Sequence, residues 1–241
     1  MLISSIDKNI GEQTVIFFNH IPKTGGTSLI NLFKEVFGPE KCFRHRARDQ
    51  KTGKISPSID SLSDEDLISK RFFAGHFTFS AADRLRTLGK RVLHLTIVRD
   101  PVDRLVSDYY FNLEQGRADL REKAQSMSLD DYVLDKLADP KSRMVNNGQC
   151  SFIADQRDFE SARDRIQSDF LCACEISQLN DMQVLLADFF GQKTEAKQSN
   201  RTTAKKERAL SPAVEAQLRQ DSRGDIQLVD YVRAEFERLA G

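Results

Sequence analysis

The chain has 241 residues, and its 36 lysine and arginine residues balance 36 aspartate and glutamate residues, so the formal net charge is zero. This balance argues against the basic surface of a nucleic-acid-binding protein, and we expect no nucleic-acid partner. Hydrophobic residues make up 39% and charged residues 30% of the chain. Such a composition is typical of a globular protein and excludes the disordered and collagen-like classes.

The sequence has no recognisable targeting or membrane segment. No apolar run approaches the roughly 18 residues of a membrane-spanning helix, and residues 1–13 lack the order of a secretory signal. We therefore expect a soluble, cytoplasmic protein without a transmembrane segment; the pattern carries no signal for an oligomeric state. The four cysteines are too few and too scattered for a disulfide framework, so they are predicted to be reduced and mostly buried.

The first half of the chain alternates between strand-like and helix-like patterns. A strand is predicted over 14–21, and the glycine loop after it leads into a helix that Gly38 ends. Between residues 40 and 54, six basic residues face only two acidic ones without apolar periodicity, which predicts an exposed basic excursion. The next predicted elements are a short helix after Ser63, a strand and turn over 71–79, and a helix capped by Ser80.

The second half continues the alternation. A strong strand is predicted over 91–98, and Asp100-Pro101 then supplies an N-cap followed by proline at the first helical position. The later predicted elements are a helix after Ser128, a strand over 170–174, a helix from Ser177 to Phe190, a mobile cationic loop over 193–208 and a last helix over 225–239. This order, without repeats or linkers, predicts a single domain over 1–241 with an α/β fold, in which helices flank a mainly parallel sheet.

One loop, between the first strand and the first helix, has the composition of an anion site. Its residues are Lys23, Thr24, Gly25, Gly26, Thr27 and Ser28. At a helix N-terminus, free backbone N–H groups and the positive end of the helix dipole favour a phosphate, and glycines let the backbone approach it. The lysine precedes the glycines, whereas in the standard mononucleotide loop it follows them. An ordinary tight turn with a surface lysine is the alternative.

A second candidate phosphate site follows the strand at 91–98. Arg99 ends that strand beside a helix N-terminus, at the sheet edge where α/β proteins bind ligands. Arg104 and Ser107 are three residues apart and share a helical face, so an arginine and a hydroxyl can hold one phosphate. The alternative is that Arg104 pairs with Asp100 or Asp108 on a solvated face.

Together, the segments around 20–28 and 97–110, FFNHIPKTGGTSL and TIVRDPVDRLVSDYYF, resemble the two cofactor motifs of sulfotransferases that use 3′-phosphoadenosine 5′-phosphosulfate (PAPS). The chain is most similar to the uronyl or heparan sulfate 2-O-sulfotransferase-like branch of the carbohydrate sulfotransferases, whose Gly-His-Phe/Leu segment matches Gly75-His76-Phe77. Weaker similarity extends to 147–149, 170–186 and 200–202. The resemblance implies a three-layer, P-loop-like sulfotransferase fold.

The resemblance also implies a role for each matching residue. The loop from Lys23 to Ser28 holds the 5′ phosphosulfate, and Lys23 neutralises the bridging oxygen as it leaves. Arg99 and Ser107 hold the 3′-phosphate, and Arg201 is a further cofactor-binding residue. The product of the cofactor is adenosine 3′,5′-bisphosphate (PAP).

His76 is implied to be the catalytic base that takes the proton of the acceptor hydroxyl, a role suited to a pKa near neutrality. A satisfied histidine in a buried turn is the alternative. The 2-O branch often has a second histidine in this segment, whereas Ala74 precedes Gly75-His76 here. The motif alone therefore does not establish specificity for a uronic acid.

The predicted activity is in-line transfer of a sulfuryl group from PAPS to a hydroxyl group of an acceptor, and we expect this acceptor to be a glycan. A sulfuryl group carries less charge than a phosphoryl group, so cationic donors can suffice, and we expect no metal. The alternatives are a small-molecule kinase, in which Lys23 cradles ATP and Asp100 holds Mg²⁺, and a non-catalytic anion-binding domain. The basic segments 40–54 and 193–208 can contact either the acceptor or the cofactor.

Overall fold

A computed structural model describes residues 1–7, 10–45, 57–192 and 210–240. The strands within these ranges are Thr14–Asn19 (β1), Cys42–Arg44 (β2), Phe72–Gly75 (β3), Arg91–Val98 (β4) and Phe170–Glu175 (β5). The first helices are Thr27–Phe37 (α1), Asp64–Ser69 (α2), Asp83–Thr87 (α3), Pro101–Gln115 (α4), Ala118–Gln125 (α5) and Leu129–Ala138 (α6). The later ones are Gly148–Ala154 (α7), Phe159–Ser168 (α8), Leu179–Phe189 (α9), Pro212–Asp221 (α10) and Arg223–Ala240 (α11).

The five strands form one sheet in the order β2-β3-β1-β4-β5, and every neighbouring pair is parallel. This confirms the predicted α/β class and parallel sheet. After β1 the chain builds β2 and β3 on one side of this strand, and it then builds β4 and β5 on the other side. Where the direction of strand addition reverses, between the carboxyl ends of β1 and β4, a crevice forms, and α/β proteins bind ligands in such a crevice.

Helices cover both faces of the sheet, which makes three layers. Alternate residues of β1 point to opposite faces: Ile16 and Phe18 belong to a core cluster with α1 and α9. On the other face, Val15 and Phe17 pack in a cluster that includes residues of α2 and α3. All six residues of β1 are buried, as expected for a parallel strand covered on both sides.

The carboxyl edge of the sheet carries a further helical layer. Residues of α4, α6 and α10 share an apolar cluster, and within it the Tyr109 and Tyr132 rings pack edge to face at 5.3 Å. The Tyr132 hydroxyl donates to Asp108 across 2.7 Å. This cluster anchors α4, whose N-terminus opens onto the crevice between β1 and β4.

Most predicted elements are present, and three predictions need correction. Cys42–Arg44 pairs with β3 as an edge strand, whereas the sequence predicts an exposed excursion there; three residues are too few to show a period. Ser80 does not cap a helix, because its N–H and hydroxyl both donate to Asp155, at 2.8 and 2.9 Å. The first turn around Ser177 is a 3₁₀ turn capped by Glu175, which accepts from the Ser177 N–H at 2.9 Å.

Two further expectations concern cysteines and membranes. All four cysteines are free; Cys150, Cys172 and Cys174 are buried and Cys42 is partly buried, as predicted. Among the helices of the described ranges, none is both long enough and apolar enough to span a bilayer. The organisation of 1–241 as a single domain stays a prediction.

Candidate active site

The loop after β1 has an unusual backbone. Lys23, Gly25 and Gly26 have φ angles of 69°, 85° and 104°, so three of its residues are in the left-handed region. Successive turns of this kind aim backbone N–H groups into one concavity, which suits an anion. Gly26 precedes α1 and has no side chain to cap the first helical turn, whose N–H groups are therefore left for a ligand.

Close packing explains why glycine stands at position 26. A Cβ there would lie 2.7 Å from Cζ of Phe18, closer than real Cβ contacts allow. The loop is also closed by Thr24, which is buried and whose hydroxyl donates to the Ile21 carbonyl across 2.9 Å. The Thr24 side chain thus holds the loop in place. Thr27 and Ser28 occupy the first turn of α1.

Lys23 connects this loop to α4. Its Nζ lies 3.6 Å from the centroid of the Phe111 ring, a cation–π contact. Phe111 follows Ser107 by four residues, so the two side chains share one face of α4. Phe111 is not among the site residues predicted from the sequence, although its spacing from Ser107 could have indicated it.

Arg99 joins the two motifs. It directly follows β4, and its Nη1 donates to the Lys23 carbonyl across 3.0 Å. Burial lowers the pKa of Arg99 from its ordinary value, and nearby Asp103 opposes this shift. A guanidinium stays charged in a protein, so a positive group stands in the crevice between β1 and β4. Ser107 lies on α4, partly buried and one turn after Asp103.

The structure corrects the prediction for Arg104. Its side chain is fully buried, and its Nη2 donates to the Arg143 carbonyl across 2.9 Å. The reason is tertiary packing, because α11 brings the buried Asp225 close to Arg104. Arg104 therefore shares no solvated face with Ser107, and Arg99 is the arginine that the structure brings to the loop.

His76 directly follows β3, and its Nδ1 lies 2.7 Å from the His20 carbonyl oxygen. A carbonyl only accepts, so Nδ1 carries the hydrogen and Nε2 of the neutral ring keeps its lone pair. Part of the ring is open to solvent, yet desolvation by the surrounding protein lowers the pKa of His76, and the neighbouring Arg44 and Lys23 act in the same direction. A neutral imidazole at neutral pH can accept a proton.

His20 directly follows β1 and stands beside His76, with ring centroids 5.0 Å apart. Its Nε2–H donates to the Gly25 carbonyl, so this ring helps to hold the glycine loop. Burial, with a smaller contribution from His76, lowers the pKa of His20 to about 3. His20 is therefore neutral over the physiological range.

A third histidine follows the edge strand. His45 directly follows β2, and its N–H donates to the Ala74 carbonyl across 2.8 Å. Three adjacent parallel strands thus each end immediately before a histidine, namely His20, His45 and His76. These histidines are far apart in the sequence, and the strand order brings the strand ends that precede them together.

Two predictions concern other parts of the chain. Arg201 and the whole of 193–208 lie outside the described residues, as does most of the basic segment 40–54. Within the ranges that the structure describes, no group of three or more histidine, cysteine, aspartate or glutamate side chains is arranged to hold a metal ion.

Comparison with known proteins gives a family and several relatives. A sequence model described as the sulfotransferase family matches residues 8–231. Heparin sulfate O-sulfotransferase of Drosophila melanogaster is 29% identical over 151 residues, which are 56% of this chain and 42% of that protein. Human heparan sulfate 2-O-sulfotransferase 1 is 29% identical over 110 residues, 42% of this chain and 30% of that protein. The chain thus matches less than half the length of these curated relatives.

Among solved structures, that of mouse sulfotransferase SULT7A1 complexed with PAP aligns with a TM-score of 0.44 and 12% identity. The alignment covers 99% of this chain and 91% of the mouse chain.

Proposed function

Because this chain belongs to the sulfotransferase family, we propose that it transfers a sulfuryl group from PAPS to a hydroxyl group of a carbohydrate and releases PAP. The observation that carries the proposal is the 3.0 Å hydrogen bond from Arg99 to the Lys23 carbonyl. It joins the two candidate phosphate sites at the crevice between β1 and β4, and His76 stands at the end of the next strand, β3.

The loop residues suit the 5′ end of the cofactor. The left-handed turns at Lys23, Gly25 and Gly26 and the N-terminus of α1 supply backbone donors for an anion. The hydroxyls of Thr27 and Ser28 and the ammonium of Lys23 add further donors. In the proposed reaction, Lys23 stabilises the negative charge that develops on the bridging oxygen.

Arg99 and Ser107 are proposed to hold the 3′-phosphate. A guanidinium binds a phosphate through two parallel hydrogen bonds, and a hydroxyl can add a third. The partly buried hydrogen bond to Lys23 orients Arg99 before the cofactor binds, which reduces the entropy lost on binding. Arg201 is proposed to contact the cofactor as well.

His76 is proposed to be the base. As the acceptor oxygen forms a bond to sulfur, the bond between sulfur and the bridging oxygen breaks, and PAP leaves with that electron pair. The proton of the acceptor hydroxyl moves to Nε2 of His76, because Nδ1 already donates its hydrogen to the His20 carbonyl. The lowered pKa of His76 keeps this nitrogen unprotonated at neutral pH.

A carbohydrate acceptor is supported by the two relatives named as O-sulfotransferases of heparin or heparan sulfate. Arg44 ends the edge strand β2 and His45 directly follows it, and both residues lie close enough to His76 to lower its pKa. The segment around His76 differs from the 2-O pattern, which often has a second histidine there, whereas Ala74 precedes Gly75-His76 in this chain. The sulfated position therefore has to be measured.

The kinase alternative requires Asp100 to hold Mg²⁺. The Asp100 carboxylate accepts from the Val102 and Asp103 N–H groups, both at 3.0 Å, and so caps α4. Its second oxygen lies 3.4 Å from Nη1 of Arg219. These contacts occupy the carboxylate, which disfavours the kinase relative to sulfuryl transfer.

A thermal-shift assay with PAP, with ATP plus Mg²⁺ and with no ligand tests the proposal first, because a bound ligand stabilises the folded state by an amount that rises with the ratio of its concentration to Kd. Labelled PAPS with a panel of desulfated glycans then tests turnover, with and without excess EDTA. We expect stabilisation by PAP and EDTA-resistant labelling. Stabilisation by ATP plus Mg²⁺ alone, with EDTA-sensitive transfer from ATP, would favour the kinase. Binding of PAP without labelling of any acceptor would favour the non-catalytic domain.

A further inference from the structure

We propose that Gln149 is a positioning residue that holds Arg99 in the orientation needed for the 3′-phosphate. This inference rests on the proposed function of Arg99. Gln149 makes its contacts to the backbone of Arg99, so its effect on the nucleotide is indirect.

The contact between the two residues is double. The Arg99 N–H donates to Oε1 of Gln149 across 3.0 Å, and Nε2 of Gln149 donates to the Arg99 carbonyl across 2.8 Å. The last residue of β4 in register with β5 is Val98, so Arg99 stands just beyond the paired strand. The Gln149 side-chain amide thus satisfies the backbone groups of Arg99, as a neighbouring strand would if the sheet continued by one residue.

Gln149 is itself held firmly. Its side chain is fully buried, and it lies in the first turn of α7. The carboxylate of Asp225, also fully buried, accepts from the N–H groups of Gln149 and Cys150 at 3.1 and 3.0 Å. The Asp225 N–H in turn donates to Oδ1 of Asn147 across 3.1 Å. Helix α11 therefore fixes the start of α7, and α7 fixes the amide.

The other end of Arg99 is held by the glycine loop, since Nη1 donates to the Lys23 carbonyl. Arg99 is thus constrained at its backbone by Gln149 and at its guanidinium by the loop. A long side chain held at both ends loses less conformational entropy when it binds a ligand. Without the Gln149 amide, the backbone end is released, and Arg99 should bind the 3′-phosphate less tightly.

This role differs from simple stabilisation of the fold in one measurable respect. If Gln149 only stabilises α7, its loss lowers the melting temperature and affects all nucleotides equally. If Gln149 positions Arg99, its loss lowers the affinity for nucleotides with a 3′-phosphate more than the affinity for nucleotides without one. PAP and adenosine 5′-phosphosulfate are the appropriate pair, because only PAP has the 3′-phosphate.

The test is calorimetric titration of the full chain with these two nucleotides. Gln149→Met replaces the amide by an apolar group of similar length, and Gln149→Asn keeps the amide but shortens its reach, so either variant that folds decides the question. We expect affinity for PAP to fall about tenfold, while affinity for adenosine 5′-phosphosulfate changes by less than about twofold. In an Arg99→Ala background, Gln149→Met should leave the ratio of the two affinities unchanged.

Gln178→Met is the matched control. Gln178 also binds two backbone groups with its amide, accepting from the Glu175 N–H at 3.1 Å and donating to the Arg233 carbonyl at 3.2 Å, and neither of these bonds involves Arg99. Its loss should lower the melting temperature without changing the affinity ratio. A Gln149 variant that folds and keeps the wild-type ratio would overturn the positioning role. A wild-type chain that binds both nucleotides equally would instead refute the proposed function of Arg99.

Discussion

The Nδ1–H of His76 donates to the carbonyl oxygen of His20 across 2.7 Å, so the histidine after β3 is oriented by the residue after β1. The two rings stand 5.0 Å apart, and the Nε2–H of His20 donates to Gly25 of the glycine loop. A continuous set of hydrogen bonds therefore connects the proposed base to the loop that is proposed to hold the transferred group.

Replacing His76 by alanine should abolish most turnover and leave PAP affinity unchanged, because the base acts on the acceptor and not on the nucleotide. Loss of a general base costs about 10²- to 10⁴-fold in rate. Single-turnover transfer from labelled PAPS measures the rate, and calorimetry measures PAP affinity. Wild-type turnover in His76→Ala would mean that the base lies elsewhere, with His20 the next candidate.

The pH profile of turnover follows from the lowered pKa of His76. The neutral imidazole is the active form, so activity falls when protonation removes its lone pair. Since the pKa lies below its ordinary value of 6.5, the fall in turnover on the acidic side should have its midpoint below pH 6.5. An acidic limb with its midpoint above pH 6.5 would contradict this assignment.

Arg99→Ala should weaken PAP about ten- to a hundred-fold, because a charge-assisted phosphate contact is worth about 1.5–3 kcal/mol. Affinity for adenosine 5′-phosphosulfate should change little. Arg84→Ala is a suitable control, since Arg84 is paired with Asp64 at 2.5 Å on the surface. Equal losses for the two nucleotides in Arg99→Ala would argue against a 3′-phosphate site.

Lys23→Ala should reduce both PAPS binding and turnover, because the same ammonium is proposed to hold the bound sulfonate and the departing oxygen. Phe111→Leu keeps that charge but removes the aromatic ring beneath it. The cation–π interaction that is lost is worth about 0.5–2 kcal/mol. The effect of Phe111→Leu should therefore be smaller than that of Lys23→Ala. Initial rates over a range of PAPS concentrations separate KM from kcat, and an unaltered kcat in Lys23→Ala would limit Lys23 to binding.

His20 should make the protein less stable in acid. Its folded pKa of about 3 lies below the unfolded value of 6.5, so between these values the unfolded chain binds more protons. Stability is then lost progressively as pH falls from about 6.5 towards 3, by at most about 1.4 kcal/mol per pH unit from this group. His20→Gln can keep a donor to Gly25 and should flatten the dependence. Urea denaturation at pH 7.5, 6.0 and 5.0 measures how the free energy of unfolding changes with pH in the wild type and in His20→Gln. The same pH dependence in both proteins would contradict the prediction.

Several features of this protein are local, and the sequence by itself determined them. The β-rich run at 14–19, the glycines after it and the apolar spacing of α1 place strand, loop and helix in order. Asp100 caps α4 and Pro101 begins it, as the dipeptide predicts. These features are readable because caps, turns and helical periods depend on residues only a few positions apart.

Long-range relationships were decided by the tertiary structure. The strand order makes neighbours of His20, His45 and His76, although 56 residues separate the first from the last. The burial of Arg104, the Phe111 ring under Lys23 and the Gln149 amide on Arg99 likewise join distant segments. Such contacts form only when crossover helices bring separate strands together, and no pattern within a single segment specifies which strands become neighbours.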